Sequence, residues 1–392
     1  MKLTHGHHLA YCTNIHRGES WEDVQAALRR HTLAVRDRVG KAGVPFAIGL
    51  RLSDRASREL ADPGALDEFR RWLDREGCYV FTINGFPYGA FHGTRVKEQV
   101  YAPDWTTPER LAYTNRLFDV LAALLPEGVE GSVSTVPVSF KGFHLDGRAR
   151  QAARDNLWRC IEHQEQVTRR SGRKLHLGLE PEPFCTLETS LETVAFFAEM
   201  RADRPGDLRL REHLGVNYDC CHLAVEYEMA DEALGRLRQH DIRISKIHLS
   251  SALRVWPTAE TREALRAFAD ETYFHQVIER GEDGTLRRWV DLPHALAEHE
   301  ERPGPARAEW RIHFHVPLHL GDGPLWGSTR DHVLGTLDWL KAHPDACRHL
   351  EMETYTWEVL PAELKSRSVV DQLTEEYAWT LAACRVRGLA AG

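Results

Sequence analysis

In the second half of this chain, four short apolar segments each run into a carboxylate or an imidazole. They are LHLGLEPEP, reaching Glu180 and Glu182; LGVNYDCCH, reaching Asp219 and His222; ISKIHLSS, reaching His248; and HLEMETYTW, reaching Glu351 and Glu353. Near-continuous apolar character suits strands of a parallel sheet covered on both faces. An unpaired carboxylate at the end of such a strand costs several kcal/mol to bury, so a cation, a salt bridge or water must answer it. Several strands that bring Glu, Asp, His and Glu to one rim are what a divalent-metal site on a parallel barrel requires.

The rest of the chain supports that architecture. Strand-like segments at 8–15, 46–53, 78–86, 131–140, 174–183, 214–225 and 244–251 alternate with amphipathic helical patterns. The first helical pattern puts Trp21, Val24, Leu28 and Val35 on one stripe, with Ser20 as its cap and Asp23 in capping-box position. The helix over 65–77 stops at Gly77, and a later one is capped near Ser190. No G-x-G-x-x-G turn follows the first strand. Strand–helix units in this order predict an α/β fold, a (β/α)8 TIM barrel, rather than an open doubly wound sheet. After residue 252 the regularity lapses. The charged stretch 255–310, with ERPGPARAE as a surface turn, predicts an insertion or cap within one 1–392 domain. WRIHFHVPLHL (310–320) is either the eighth barrel strand or part of an elaborated insertion before the last strand; the insertion is the favoured expectation, with 349–357 as the eighth strand.

Composition narrows the function. A net charge of −8 argues against a broad nucleic-acid surface and favours a small-molecule substrate. No apolar stretch reaches the length of a bilayer span, which predicts no membrane insertion, and the N-terminus has no secretory pattern, so a cytoplasmic location is the default expectation. A homo-oligomer is compatible with the sequence. The eight cysteines include no CxxC pair and are expected to be reduced core residues. Cys220 and Cys221 are expected on opposite faces of a strand and so not as a chelating pair. His5, His7, His8 and His16 cluster near the start; a partly exposed lead-in to the first strand is the expectation, with a metal-binding tract as the alternative.

The candidate metal ligands are Glu180, Asp219, His248 and Glu353, with Glu351 competing for the last place and His315 and His313 as alternative ligands. One divalent ion is expected; imidazole among carboxylates suits Mn, Co, Zn, Fe or Mg. Glu182, His222, Arg254 and Asn84 are candidate substrate contacts, and Asn14 and His92 follow earlier strands at a similar level. The ordinary alternatives are a structural salt bridge for Glu180, a core histidine for His222 and a surface arginine for Arg254; His319 completes the RIHFHVPLH cluster. No GxSxG, P-loop or HExxH motif is present.

At these residues the chain resembles the xylose-isomerase-like TIM barrels and, among them, the ketose 3-epimerases. That resemblance implies a Glu, Asp, His, Glu metal set at Glu180, Asp219, His248 and Glu353, with His222 and Arg254 at substrate-contacting positions. The roughly 100 residues between His248 and Glu353 depart from the epimerase pattern and leave His315 open as the fourth ligand. Over nearly its whole length, through YCTNIHRGESW, FTINGFPYGAFHGTRVKEQVYAPDW, STVPVSFK and ETYTWEVLP, the chain resembles the EboE family, labelled a metabolite traffic protein. That likeness implies a sugar-like or cyclitol substrate in a specialised-metabolite pathway.

The leading expectation is a metal-dependent isomerase or epimerase of a polyhydroxy carbonyl compound, with Glu180 and Glu353 as catalytic carboxylates moving a proton through a metal-bound enediolate. A non-catalytic metabolite-binding or handover protein of an export system is the alternative, followed by a metal-dependent phosphoesterase.

Overall fold

The computed structural model describes residues 1–391 except 42, 94, 270, 303–306, 362–364, 366 and 367. Seven parallel strands follow one another along the chain: β1 (His8–Cys12), β2 (Phe46–Arg51), β3 (Cys78–Asn84), β4 (Gly131–Thr135), β5 (Leu175–Leu179), β6 (Leu214–Asp219) and β7 (Arg243–Leu249). Five short strands come next: β8 (Ala252–Val255), β9 (Val277–Arg280), β10 (Leu286–Trp289), β11 (Glu309–His315) and β12 (Gly327–Ser328). The last, β13 (His349–Met352), lies between β7 and β1 and closes an eight-stranded barrel. The fold is a (β/α)8 barrel.

The barrel strands are buried along almost their whole length, which explains their unbroken apolar runs. Their order follows from local signals. Ser20 accepts from Asp23 N and Asp23 reaches back to Ser20 N, a complete capping box at the helix Trp21–Ala27. The helix Pro63–Glu76 begins on an Asp62 cap and ends where Gly77 turns left-handed (φ 60°). At Ser190–Asp203 the cap is Thr189, one residue earlier than expected, because its side chain accepts from Glu192 N.

The insertion before the last strand forms a separate antiparallel sheet in the order β10-β9-β11-β8-β12. The 310–320 segment therefore lies outside the barrel, and β13 is the eighth strand. This sheet begins at Ala252 and reaches Ser328, beyond the 255–310 bounds read from charge, because β8 follows β7 after only Ser250 and Ser251. It buries its own apolar cluster, including Leu253, Phe268, Trp289, Trp310 and Phe314. The ERPGPARAE turn includes residues outside those described.

Two other expectations change. The LGVNYDCCHLAV segment is not one strand: β6 ends at Asp219, whose side chain accepts from His222 N and starts the helix Cys220–Val225. Cys220 and Cys221 are thus helical, and all eight cysteines are buried and unbridged. His7 and His8 are buried rather than partly exposed, and their rings bond separately to Pro344 O and Tyr79 Oη. Among the described residues no helix is long and apolar enough to cross a membrane.

Behind the barrel, the C-terminal helix Val369–Arg385 buries Glu376, which accepts from Thr354 Oγ1 (2.7 Å) and Gln372 Nε2 (3.0 Å). Burial raises its pKa to about 7. A carboxyl that binds its proton more tightly folded than unfolded stabilises the fold below its unfolded pKa of about 4.3, and that stability is lost as pH rises through about 7. In Glu376→Gln the fall in Tm between pH 5 and 8 should be shallower than in the wild type; an unchanged slope in thermal melts would place the titration elsewhere.

Candidate metal centre

Parallel register brings the site together. Asp219 on β6 and Glu351 on β13 are both Cα partners of His248 on β7, so the three stand at one level of the barrel. Glu180 and Glu353 lie just past the ends of β5 and β13, anchored by Glu180 N donating to Thr135 O and Glu353 N donating to Leu249 O. One ligand atom each from Glu180, Asp219, His248 and Glu353 lies within 4.8 Å of all the others, and all four residues are buried.

His248 Nδ1 is the centre of this cluster. It is 3.1 Å from Glu180 Oε1, 3.2 Å from Asp219 Oδ2 and 3.1 Å from Glu353 Oε2. Around a divalent ion with bonds of about 2.1 Å, adjacent ligand atoms in octahedral or tetrahedral shells sit about 3.0–3.4 Å apart. The three separations from His248 Nδ1 fall in that range, and the remaining ligand-atom pairs lie within 4.8 Å. Glu180 Oε2 is buried with no hydrogen-bond partner, an expensive state for a carboxylate oxygen unless a cation or substrate faces it. The donor set of three carboxylates and one imidazole fits a hard or borderline divalent ion.

The electrostatics agree. Burial opposes a charged His248, but Glu353, Glu180 and Asp219 outweigh it and raise its pKa well above the usual histidine value. Burial likewise opposes ionisation of Asp219, yet His222 and His248 hold its carboxyl well below the usual range. Glu353 is lowered too: against burial stand His248 and His315. Its Oε1 also accepts from Asn14 Nδ2 (3.0 Å) and Asn84 Nδ2 (3.1 Å). The site therefore gathers negative charge that a proton on His248 only partly offsets.

A cleft opens above the cluster. Its cavity volume is only about 50 Å³, well below the roughly 300–1,000 Å³ usual for small-molecule sites. Of the four clustered residues only Glu180 and Glu353 line it; Asn14, Asn84, Glu182, His222 and His313 line it as well. Its walls carry Phe86, Tyr101, Tyr273, Phe274 and Tyr355, together with Lys97, which is ion-paired to Asp291 at 2.6 Å. Tyr101 Oη donates to Glu182 Oε1 (2.6 Å), and burial raises Glu182 to about 7.

Other expected residues are placed differently. Arg254 does not line the cleft: β8 carries it into the second sheet, where it bonds Asp322 Oδ1 (2.9 Å). Glu351 stays inside the barrel against Lys246 (2.6 Å) and His248 Nε2 (3.0 Å), because β13 must run two residues further to reach the rim at Glu353. His92 sits behind the wall on Asn14 O and Tyr273 Oη, and His319 pairs with Glu375.

The inserted sheet brings His313 and His315 beside His222, with ring centroids 4.5 and 5.6 Å from it. Asp219, His222 and His315 form a second group of potential ligands, and Cys221, His313 and His315 a third. Lys246 and the aromatic wall were not singled out from sequence. A lysine inside the apolar run ISKIHL, and for Phe86 and Tyr101 the aromatic loop after β3, are signals that could have found them; Tyr273 and Phe274 come from the insertion and Tyr355 from the segment after β13.

No family model matches this chain, and no curated protein matches it. Solved structures share its fold. One is an L-ribulose 3-epimerase, 12% identical over 99% of this chain and 96% of that one, with a TM-score of 0.52. Another is a xylose isomerase-like TIM barrel protein from Mycobacterium smegmatis in complex with magnesium, 15% identical over 99% of each chain, TM-score 0.53. A third is an IolI protein with a bound zinc atom, 14% identical over 97% and 98%, TM-score 0.50. At these identities the likeness is one of fold.

Saturating Mn²⁺ at about 100 times its Kd should stabilise the wild type by about 2.7 kcal/mol. Glu180→Gln should keep the far-UV circular dichroism of the wild type and lose most of that gain in calorimetry. Equal stabilisation of both proteins would contradict the ligand assignment.

Proposed function

We propose that the protein is a metal-dependent isomerase or epimerase acting on a sugar-like or cyclitol polyhydroxy carbonyl compound. The observation that carries this reading is the pairing of a four-residue ligand cluster with a small, largely aromatic-walled cleft into which two of its carboxylates, Glu180 and Glu353, open. Fold neighbours that include an L-ribulose 3-epimerase support the substrate class.

Glu180, Asp219, His248 and Glu353 would hold one divalent ion, which supplies electrophilic stabilisation of negative charge developing on a carbonyl oxygen. Glu180 has the free oxygen: its Oε2 has no partner, so it would take the proton from the carbon beside the carbonyl. Glu353, held by Asn14 and Asn84, would return it on the opposite face. His222 is fixed by its Nδ1 donating to Pro181 O (3.0 Å), which leaves Nε2 to bond a substrate hydroxyl. Glu182 and the aromatic wall would set the fit of the remaining hydroxyl groups and the ring.

The second ligand group, Asp219, His222 and His315, favours one further reading, a phosphoesterase with more than one ion. Metal analysis of the native protein separates the two, with one equivalent per chain expected and two or three pointing to hydrolysis.

Incubation with ketoses and inosose-type cyclitols in D₂O should incorporate deuterium beside the carbonyl. Glu182→Gln should raise KM about 10-fold while retaining metal. Tight ligand binding with no exchange for any substrate would make the protein a binding or handover module instead.

A further inference from the structure

The strand that supplies His248 carries a second ionisable residue two positions earlier. Lys246 and His248 therefore point to the same side of β7, into the barrel. Lys246 Nζ lies 2.6 Å from Glu351 Oε2 and 3.2 Å from Ser134 Oγ, and Glu351 Oε2 lies 3.0 Å from His248 Nε2. Lys246, His248 and Glu351 are each fully buried. This chain of charge lies beneath the ligand cluster, on the side away from the cleft, and neither Lys246 nor Glu351 lines it.

Such a pair is a poor way to fill a barrel. Burying a lysine and a glutamate costs several kcal/mol per ion, and apolar residues of similar volume are often equally or more stabilising. The backbone also accommodates it: a Cβ at Gly49 on β2 would lie only 1.7 Å from Glu351 Oε1 and 2.6 Å from its carboxyl carbon. β2, β7 and β13 are thus all shaped around one carboxylate.

Its position gives that carboxylate a use. Ion-paired to Lys246, Glu351 is an acceptor only, so His248 Nε2 must carry the hydrogen between them. With a cation bound, His248 would be neutral with one N–H, which leaves Nδ1 with a lone pair facing Glu180, Asp219 and Glu353; Asn217 Nδ2, 3.3 Å away, contacts the same nitrogen. The geometry points to Lys246 and Glu351 as positioning residues that fix the tautomer and ring orientation of His248 so that Nδ1, not Nε2, binds the cation. This rests on the four-ligand reading above. Partners of a metal-bound histidine typically contribute about 10–100-fold in metal affinity.

The test compares Zn²⁺ Kd, by competition with a chromophoric chelator, in the wild type and two double variants. Lys246→Met with Glu351→Leu replaces the pair by apolar bulk; Lys246→Met with Glu351→Gln removes the charges but keeps a carbonyl acceptor for Nε2–H. The expected result is a Tm at or above the wild-type value for the apolar variant with a 10–100-fold weaker Kd, partly restored in the glutamine variant. The visible spectrum of the Co²⁺ form should shift in the apolar variant. Wild-type affinity in the apolar variant overturns the inference and makes the pair a structural filler. If the variants do not fold, ¹⁵N NMR of the Zn²⁺-loaded wild type decides: a protonated Nε2 on His248 supports the inference, and a metal-bound Nε2 overturns it. A wild type that binds no divalent ion would instead remove the functional reading itself.

Discussion

Three buried carboxylates facing one imidazole nitrogen at about 3.1–3.2 Å is the constraint around which the rim of this barrel is built. Like charges so close in a region poorly accessible to water repel strongly, and a protonated His248 can offset only one of them. The surrounding residues divide the remaining load. Asn14 and Asn84 donate to Glu353, Ser250 Oγ and the His222 amide donate to Asp219, while Glu180 keeps one oxygen without a partner. That unevenness distinguishes Glu180 from the other two acids and makes it the group best placed to meet an incoming ion or substrate.

The barrel makes the arrangement possible by register. Asp219, His248 and Glu351 are level because β6, β7 and β13 are parallel neighbours, although Glu351 is more than a hundred residues from His248 in the chain. The excursion between β7 and β13 does not disturb this level, because the inserted strands pair among themselves and bury a separate apolar cluster. What the insertion adds is a wall: β11 presents His313 and His315 to His222, and the segment ahead of β9 contributes Tyr273 and Phe274 to the cleft. The cleft is thus bounded by the barrel rim on one side and by the insertion on the other.

Much of this was legible in the sequence because buried parallel strands leave long apolar runs, and their polar ends stand out. Glu180, Asp219, His248 and Glu353 were found in that way and are the residues brought together. Arg254 was misplaced because a six-residue step from His248 suggests a loop at the rim, whereas Ser250 and Ser251 turn the chain at once into β8. Asp219 itself marks the end of β6, but the helix after it is hidden because the apolar run continues through Cys220–Val225, and only the capping bond from His222 N reveals it. Lys246 with Glu351 could not be paired from sequence, since contact between them depends on barrel closure. The short strands β8 and β12 carry too few residues to show a period.

The central claim is that Glu180, Asp219, His248 and Glu353 share one divalent ion. Anomalous diffraction from crystals grown with Mn²⁺ tests it most directly. A single strong peak is expected within bonding distance of His248 Nδ1 and the three carboxylates. A peak confined to His222, His313 and His315, or no peak at the rim in Mn²⁺-soaked crystals, would contradict it.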